Sequence, residues 1–305
     1  MLVSIMIPTY NQEKYISDAI QSALSQTYEN LEIIVCDDNS IDNTYKILKK
    51  YNDKRLKIFK NNKNLGRVKN YRHILYDLAN GEYVINLDGD DYFLDNEYIQ
   101  KCVDLIKKNN LDLVFSNQVI RYVDFDKKTD MKLDKIIDGN WLFLNYGKNG
   151  LHIPHMTALY NRKKALSLDF YSKDIISSDW ESLLKFIINS KIGFVHEPSG
   201  AWRQIENSES KIQDIDKVFK NIALVDSVCE YAKDFFSQEK LQRFSSRIRI
   251  NLLKDISMIN IACNFFGIVK FSYSRLSLFE FLKFILNYRF LAKAIIGKIK
   301  FKCVE

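Results

Sequence analysis

The chain has 305 residues, 47% of them hydrophobic and 27% charged, with only 10 Gly and 3 Pro. That composition excludes disorder and collagen-like order and fits one large or two modest globular domains. A chain of this length buries about 75% of the surface its unfolded form exposes, so it needs neither disulfide nor metal to hold a core. The formal net charge is +7, yet from Lys270 onward eight Lys and Arg stand against two acids. The first 269 residues are therefore nearly neutral, which argues against a broad phosphate-tracking face, and no nucleic-acid partner is expected.

The opening run, residues 2–7, reads as a buried first strand ending at Pro8, without the cationic leader of a signal peptide. Further short runs rich in β-branched residues at 31–36, 56–59 and 83–87 predict strands. Between them, Tyr15, Ile16, Ala19, Ile20, Ala23 and Leu24 recur at helical spacing, as do residues 45–51 and 68–78. Alternation of this kind predicts βαβ crossovers and a largely parallel sheet. Ligands of such sheets sit beyond the carboxyl ends of the strands.

Two of those ends are acidic: Asp37-Asp38-Asn39-Ser40-Ile41-Asp42 follows Cys36, and Asp88-Gly89-Asp90-Asp91 follows Leu87. Crowded carboxylates repel, and a divalent cation such as Mg²⁺ or Mn²⁺ with a diphosphate relieves them. Capping of the following helices is the competing use of these acids. Further on, residues 111–119, 155–160 and 192–195 predict strands, with an irregular polar stretch through Asp138. Ser177 or Ser178 reads as the N-cap of a helix whose first turn carries Asp179 and Glu181. Beyond about Ile212 the pattern is helical, over 212–235 and 238–263. Five cysteines are scattered without a CxxC or Cys/His cluster, so a reducing, cytoplasmic setting is expected rather than a disulfide framework or zinc site.

The ordered series Val3-Ser-Ile-Met-Ile-Pro-Thr-Tyr-Asn11, Gln26-Thr27-Tyr28, Glu32, Cys36-Asp37-Asp38, Asn64-Leu65-Gly66, Arg72, Gly81-Glu82-Tyr83 and Asp88-Gly89-Asp90-Asp91 resembles the inverting family 2 glycosyltransferases over roughly residues 1–210. The resemblance implies an α/β GT-A fold, a Rossmann-like, mostly parallel sheet flanked by helices, with a catalytic domain at 1–210 and a helical C-terminal region at 211–305. It implies transfer of a sugar from a nucleotide-diphospho-sugar, expected to be a uridine diphosphate sugar, to a hydroxyl of a cell-surface glycan or lipid-linked oligosaccharide. By the same resemblance Pro8, Thr9, Tyr10, Asn11, Asp38, Gly66, Arg72, Asp88 and Arg203 would hold the nucleotide donor. Asp88 and Asp90 would bind Mn²⁺ or Mg²⁺, and Asp179 would be the base, its usual acidic neighbour replaced by Ser178. The Gly66-to-Arg72 spacing is one residue longer than the family's usual, and Gln204 stands where a His is common.

Two other functions compete. A Mg²⁺-dependent phosphohydrolase with an aspartyl nucleophile also uses an acidic DxD after an apolar strand, but leaves Pro8-Thr9-Tyr10-Asn11 and Asp37-Asp38 without a role. A non-catalytic nucleotide-sugar-binding protein finds support only in Ser178.

In the tail, Phe281, Ile285, Tyr288, Ala292, Ile295 and Ile299 fall on one helical stripe with lysines off it. No uncharged stretch there approaches the ~20 residues that span a bilayer. Two placements stay open. The stripe packs on 212–263 or on a second subunit as a homodimer, or residues 277–302 lie on an anionic inner leaflet as a peripheral membrane contact.

Overall fold

The computed structural model describes residues 1–205 and 215–260. The basic amphipathic tail, residues 277–302, and the Asn207-to-Ser210 segment lie outside the described residues. The chain divides into two compact units, Met1–Ser208 and Glu209–Glu305.

In the first unit the order is β1 (Val3–Thr9), α1 (Ile16–Leu24), β2 (Leu31–Asp37), α2 (Thr44–Leu48), β3 (Leu56–Lys60), α3 (Arg67–His73) with a π-helical turn at Ile74–Leu78, and β4 (Tyr83–Asn86). Then come β5 (Tyr92–Phe93), α4 (Tyr98–Asn109), β6 (Leu113–Arg121), β7 (Asp126–Lys128), β8 (Ile136–Asp138), α5 (Gly139–Asn145), β9 (Leu159–Asn161), α6 (Arg162–Ser167), α7 (Ser178–Ile187) and β10 (Lys191–Arg203). One sheet runs β3-β2-β1-β4-β9-β6-β10-β5, with β7 on β6 and β8 on β10. Its first half, β3-β2-β1-β4, is entirely parallel. Every residue of β1 and β2 is buried, as expected of central parallel strands covered on both faces. In the second half β9 runs antiparallel to both β4 and β6, and β10 runs parallel to β6. The carboxyl ends of β1, β2, β4, β6 and β10 consequently share one edge.

Three local expectations are corrected. Residues 155–160 are not one strand but a 3₁₀ turn, His155–Thr157, followed by β9. The strand expected at 192–195 continues to Arg203, because the register shift between Val195 and Gly200 lets the bulged strand pass Pro198. The stretch before Asp138 pairs as β7 and β8.

At the amino edge a buried polar knot holds the parallel strands together. Glu32 of β2 accepts from Ser4 Oγ at 2.6 Å, from the Asn80 amide at 2.6 Å and from Lys57 Nζ at 2.6 Å, while Ser4 Oγ accepts from the Gly81 amide at 2.8 Å. Burial opposes ionisation of Glu32, but the bonds from Lys57, Ser4 and Asn80 outweigh it and hold its carboxyl below the usual range. A depressed folded value means that the stabilisation is present above the unfolded value and is lost as pH falls through the folded one. Glu32→Gln is therefore expected to cost about 1–2 kcal/mol at pH 7 and less at pH 3. Thermal melts of both proteins at the two pH values check this, and equal melting temperatures at pH 7 would refute it.

In the second unit α8 (Ile215–Ala232) and α9 (Gln238–Asn260) pack together, burying Leu224, Val225, Val228, Phe244 and Ile248, with Arg249 paired to Asp226. Among the described residues no helix is long and apolar enough to cross a membrane.

Candidate active site at the carboxyl edge of the sheet

The ends of β1 and β2 meet through backbone and side chain. The Asp38 amide donates to the Thr9 carbonyl at 2.8 Å, and Asn11 and Asn39 adopt the left-handed backbone that asparagine tolerates in turns. The Asn11 amide donates to Ser40 Oγ at 2.9 Å, and Asn11 Oδ1 accepts from the Ile41 amide at 2.9 Å, so the two turns are stitched together. Pro8 lies in register with Cys36, and Tyr10 is exposed beside them. The buried Asp38 carboxylate accepts from Asn61 Nδ2 at 2.8 Å and from the amides of Leu65 and Gly66 at 2.8 and 2.9 Å. Asp38 thus anchors the turn that opens α3, where Gly66 has φ +89°. A carboxylate offers about four acceptor positions, which leaves about one for a ligand donor.

The acids divide between turn-building and site. Asp37 accepts from Ser40, and Asp42 Oδ1 accepts from the Thr44 amide at the start of α2 at 2.9 Å, so these two serve local structure. Asp88 and Asp90 follow β4 at the same edge, Asp88 accepting from Tyr71 and Asn86. Gly89 between them is required by space: a Cβ there would lie 2.8 Å from Thr9 Oγ1 and also meet the end of Gln12. Burial first, and then the Asp88 charge, push the Asp90 carboxyl up to about 6, against the opposing pull of Arg203 and a hydrogen bond from Gln12. The neighbouring Asp91 is buried, raised well above the usual range by burial and by Asp90, and accepts from the Arg203 amide at 2.8 Å. Arg203, at the end of β10, donates to the Asp90 carbonyl at 2.9 Å, pairs with Asp18 and lies over the Tyr92 ring at 4.4 Å.

A cation is the natural relief for two mutually repelling carboxylates. Among the described residues no three His, Cys, Asp or Glu side chains converge as a ligand set. Asp88 and Asp90 are oxygen donors of the kind that Mg²⁺ takes, an ion usually bound by one or two carboxylates together with phosphate and water oxygens.

Asp179 lies in the first turn of α7, half-buried. Its charge is felt by Tyr171 and Tyr146, burial of each ring being the larger influence. The Tyr171 ring lies 5.3 Å from that of Tyr71, whose hydroxyl donates to Asp88 Oδ1 at 2.7 Å. Through these two rings the surroundings of Asp179 adjoin those of Asp88. Glu181 instead turns inward, buried and paired with Lys185, and so is not an acceptor contact.

Arg72 of α3 is paired with Asp169. Its guanidinium donates to Asp169 at 2.5 Å and to the Phe170 carbonyl at 2.9 Å. On the same helix Arg67 and Tyr71 face the site, because residues four apart are separated by only about 40° while Arg67 and Arg72 are about 140° apart. Sequence reading missed Asn61, Arg67, Tyr71 and Tyr92. The i, i+4 spacing of Arg67 and Tyr71 after the Gly66 turn is the one signal that could have found the pair.

The model of glycosyl transferase family 2 matches residues 4–168 of the chain. The chain is 38% identical over 120 residues to the Escherichia coli UDP-Glc:alpha-D-GlcNAc-diphosphoundecaprenol beta-1,3-glucosyltransferase WfgD, covering 39% of this chain and 46% of WfgD. The match therefore spans less than half of that relative's length. The crystal structure of Staphylococcus aureus TarS 1-349 has a TM-score of 0.66 at 17% identity, over 87% of this chain and 75% of that one. A mannosyltransferase of Pyrobaculum calidifontis in complex with GDP-Man and Mn²⁺ has a TM-score of 0.57 at 15% identity, over 95% of this chain and 80% of that one. At such identities the likeness is one of fold, and the fold is the GT-A architecture that the sequence resemblance implies.

Proposed function

The chain belongs to glycosyl transferase family 2, and from that premise we propose that it transfers a hexose, with inversion, from a uridine diphosphate sugar to a hydroxyl of a lipid-linked glycan of the cell surface. The observation that carries this reading is the meeting, on one sheet edge, of the Asp38-anchored turn with the Asp88 and Asp90 carboxylates, one aromatic contact away from the residues around Asp179.

Asp38, with Pro8, Thr9, Tyr10 and Asn11 around it, holds the base and ribose. Its remaining acceptor position suits the imide N–H of uracil. Asp88 and Asp90 would hold Mn²⁺ or Mg²⁺, which when bound would stabilise negative charge on the leaving diphosphate. Arg203, beside Asp90, adds positive charge at the same end. Asp179 accepts the proton of the acceptor hydroxyl as its oxygen bonds to the anomeric carbon, and the bond to the diphosphate oxygen breaks with its electron pair leaving on the nucleotide. Attack from the side opposite the leaving group inverts the anomeric carbon. Arg72 is not kept in the donor site, since its fork is spent on Asp169 and Phe170.

The UDP-Glc donor and diphosphoundecaprenol acceptor named for WfgD support the uridine diphosphate sugar and the lipid-linked class. The basic amphipathic tail of 277–302 is where contact with an inner leaflet would arise. Incubation with uridine diphosphate sugars, Mn²⁺ and a GlcNAc-diphospho-lipid tests the reading. A glycosylated lipid with one UDP released per transfer is expected. Phosphate release from simple esters without any glycoside would point to the phosphohydrolase instead.

A further inference from the structure

We propose that Arg67 and Tyr71 are positioning residues through which a single helix, α3, sets both the donor carboxylate Asp88 and the segment that presents the base Asp179; this rests on the function proposed above. Tyr71 is fully buried, and its hydroxyl donates to Asp88 Oδ1 at 2.7 Å. Asn86 Nδ2 donates to the same oxygen at 2.9 Å. Two donors on Oδ1 fix the carboxylate plane and keep Oδ2 for a ligand.

One turn earlier, the Arg67 guanidinium lies 5.3 Å from the centre of the Tyr71 ring and reaches its hydroxyl at 3.5 Å. Its other nitrogen donates to the carbonyls of Ile176 at 2.6 Å and Ile175 at 3.3 Å. Those carbonyls belong to the residues that lead into α7, three and four positions before Asp179. A planar guanidinium can hold both carbonyls while its face rests on the ring, whereas an ammonium cannot. Tyr71 thus bonds to Asp88 on the donor side, and Arg67 to the backbone that leads into α7 on the acceptor side. The contact of Tyr71 with Tyr171 and His155, at 5.3 and 5.6 Å between ring centres, backs the same junction from the core.

The two roles separate in kinetics. In the full chain with Mn²⁺, Tyr71→Phe is expected to weaken UDP binding roughly tenfold, the worth of a buried bond to a charged group, with kcat at saturating donor within about threefold. Arg67→Lys is expected to lower kcat roughly tenfold, the cost of a misplaced base, with UDP affinity within about twofold. Arg67→Met should fall further than Arg67→Lys. Melting curves accompany each variant, and losses of kcat and affinity that merely follow a lowered melting temperature would overturn the pair. So would proportional changes in both parameters for both variants, or no change in either. A wild-type protein that transfers no sugar overturns the function and the pair with it. Normal wild-type transfer alongside unaltered variants removes the pair alone.

Discussion

Asp179→Asn is expected to lower the rate of sugar transfer by roughly 10²–10⁴-fold, the contribution of a positioned general base, while UDP affinity stays within about twofold. The separation follows from where the groups sit. The proposed donor contacts come from the ends of β1, β2, β4 and β10, whereas Asp179 comes from the first turn of α7. Its proton transfer is made only in the transition state, so its loss appears in kcat and not in ground-state binding. Asparagine keeps the shape and the helix start, and forfeits only about 0.3–1 kcal/mol of charge–dipole stabilisation. Transfer at the wild-type rate would reject Asp179 as the base.

Asp90→Asn is expected to stabilise the ligand-free protein and to abolish metal-dependent nucleotide binding. The Asp90 carboxyl is pushed up to about 6 by burial and by Asp88, from an ordinary 3.8. A carboxyl raised in the folded state costs stability as pH climbs through the unfolded value, and the full cost applies above the folded value. Two units correspond to about 3 kcal/mol, which partial exposure to solvent trims to about 1–2 kcal/mol. For a unit of this size that is a gain of roughly 2–8 °C in melting temperature at pH 7.5, vanishing near pH 4. Melts at the two pH values measure it. A variant less stable than the wild type at pH 7.5 would mean that the Asp90 charge is already satisfied within the protein.

Stability and function thus pull in opposite directions at this one side chain. The knot around Glu32 at the opposite edge of the sheet shows the reverse arrangement. There every carboxylate oxygen meets a donor, and the charge adds stability. An acid left under-satisfied at the ligand-binding edge and one fully satisfied at the other edge is what a cation-binding function leads one to expect.

The parallel half of the sheet was legible because β1, β2 and β4 are short β-branched runs separated by periodic helices; β1, β2 and β3 pair in the chain's own order, and β4 crosses over to the other side of β1. The second half was not, because its pairings are non-local. β9 inserts between β4 and β6, and β5 joins the far edge through β10, relationships that no local periodicity encodes. The strand expected at 192–195 stops before His196-Glu197-Pro198, yet a bulge carries β10 past them to Arg203. Asp38, Asp88 and Asp90 follow the carboxyl ends of β2 and β4, where strand-end logic looks for a site, whereas Arg203 reaches the same edge only because β10 runs on past 195. Arg72 illustrates the limit of motif matching. One residue of extra spacing rotates a helix by about 100°, which delivers Tyr71 to Asp88 and turns Arg72 toward Asp169.

The most direct test of the central claim, that Asp88 and Asp90 form a cation-assisted site for a nucleoside diphosphate, is calorimetric titration of UDP into the wild type and Asp90→Asn, each with and without Mn²⁺. Binding by the wild type that strengthens at least tenfold with Mn²⁺, and no Mn²⁺ effect in the variant, is the predicted result. Wild-type binding indifferent to Mn²⁺, or an Asp90→Asn protein that binds UDP with Mn²⁺ as tightly as the wild type, would contradict it.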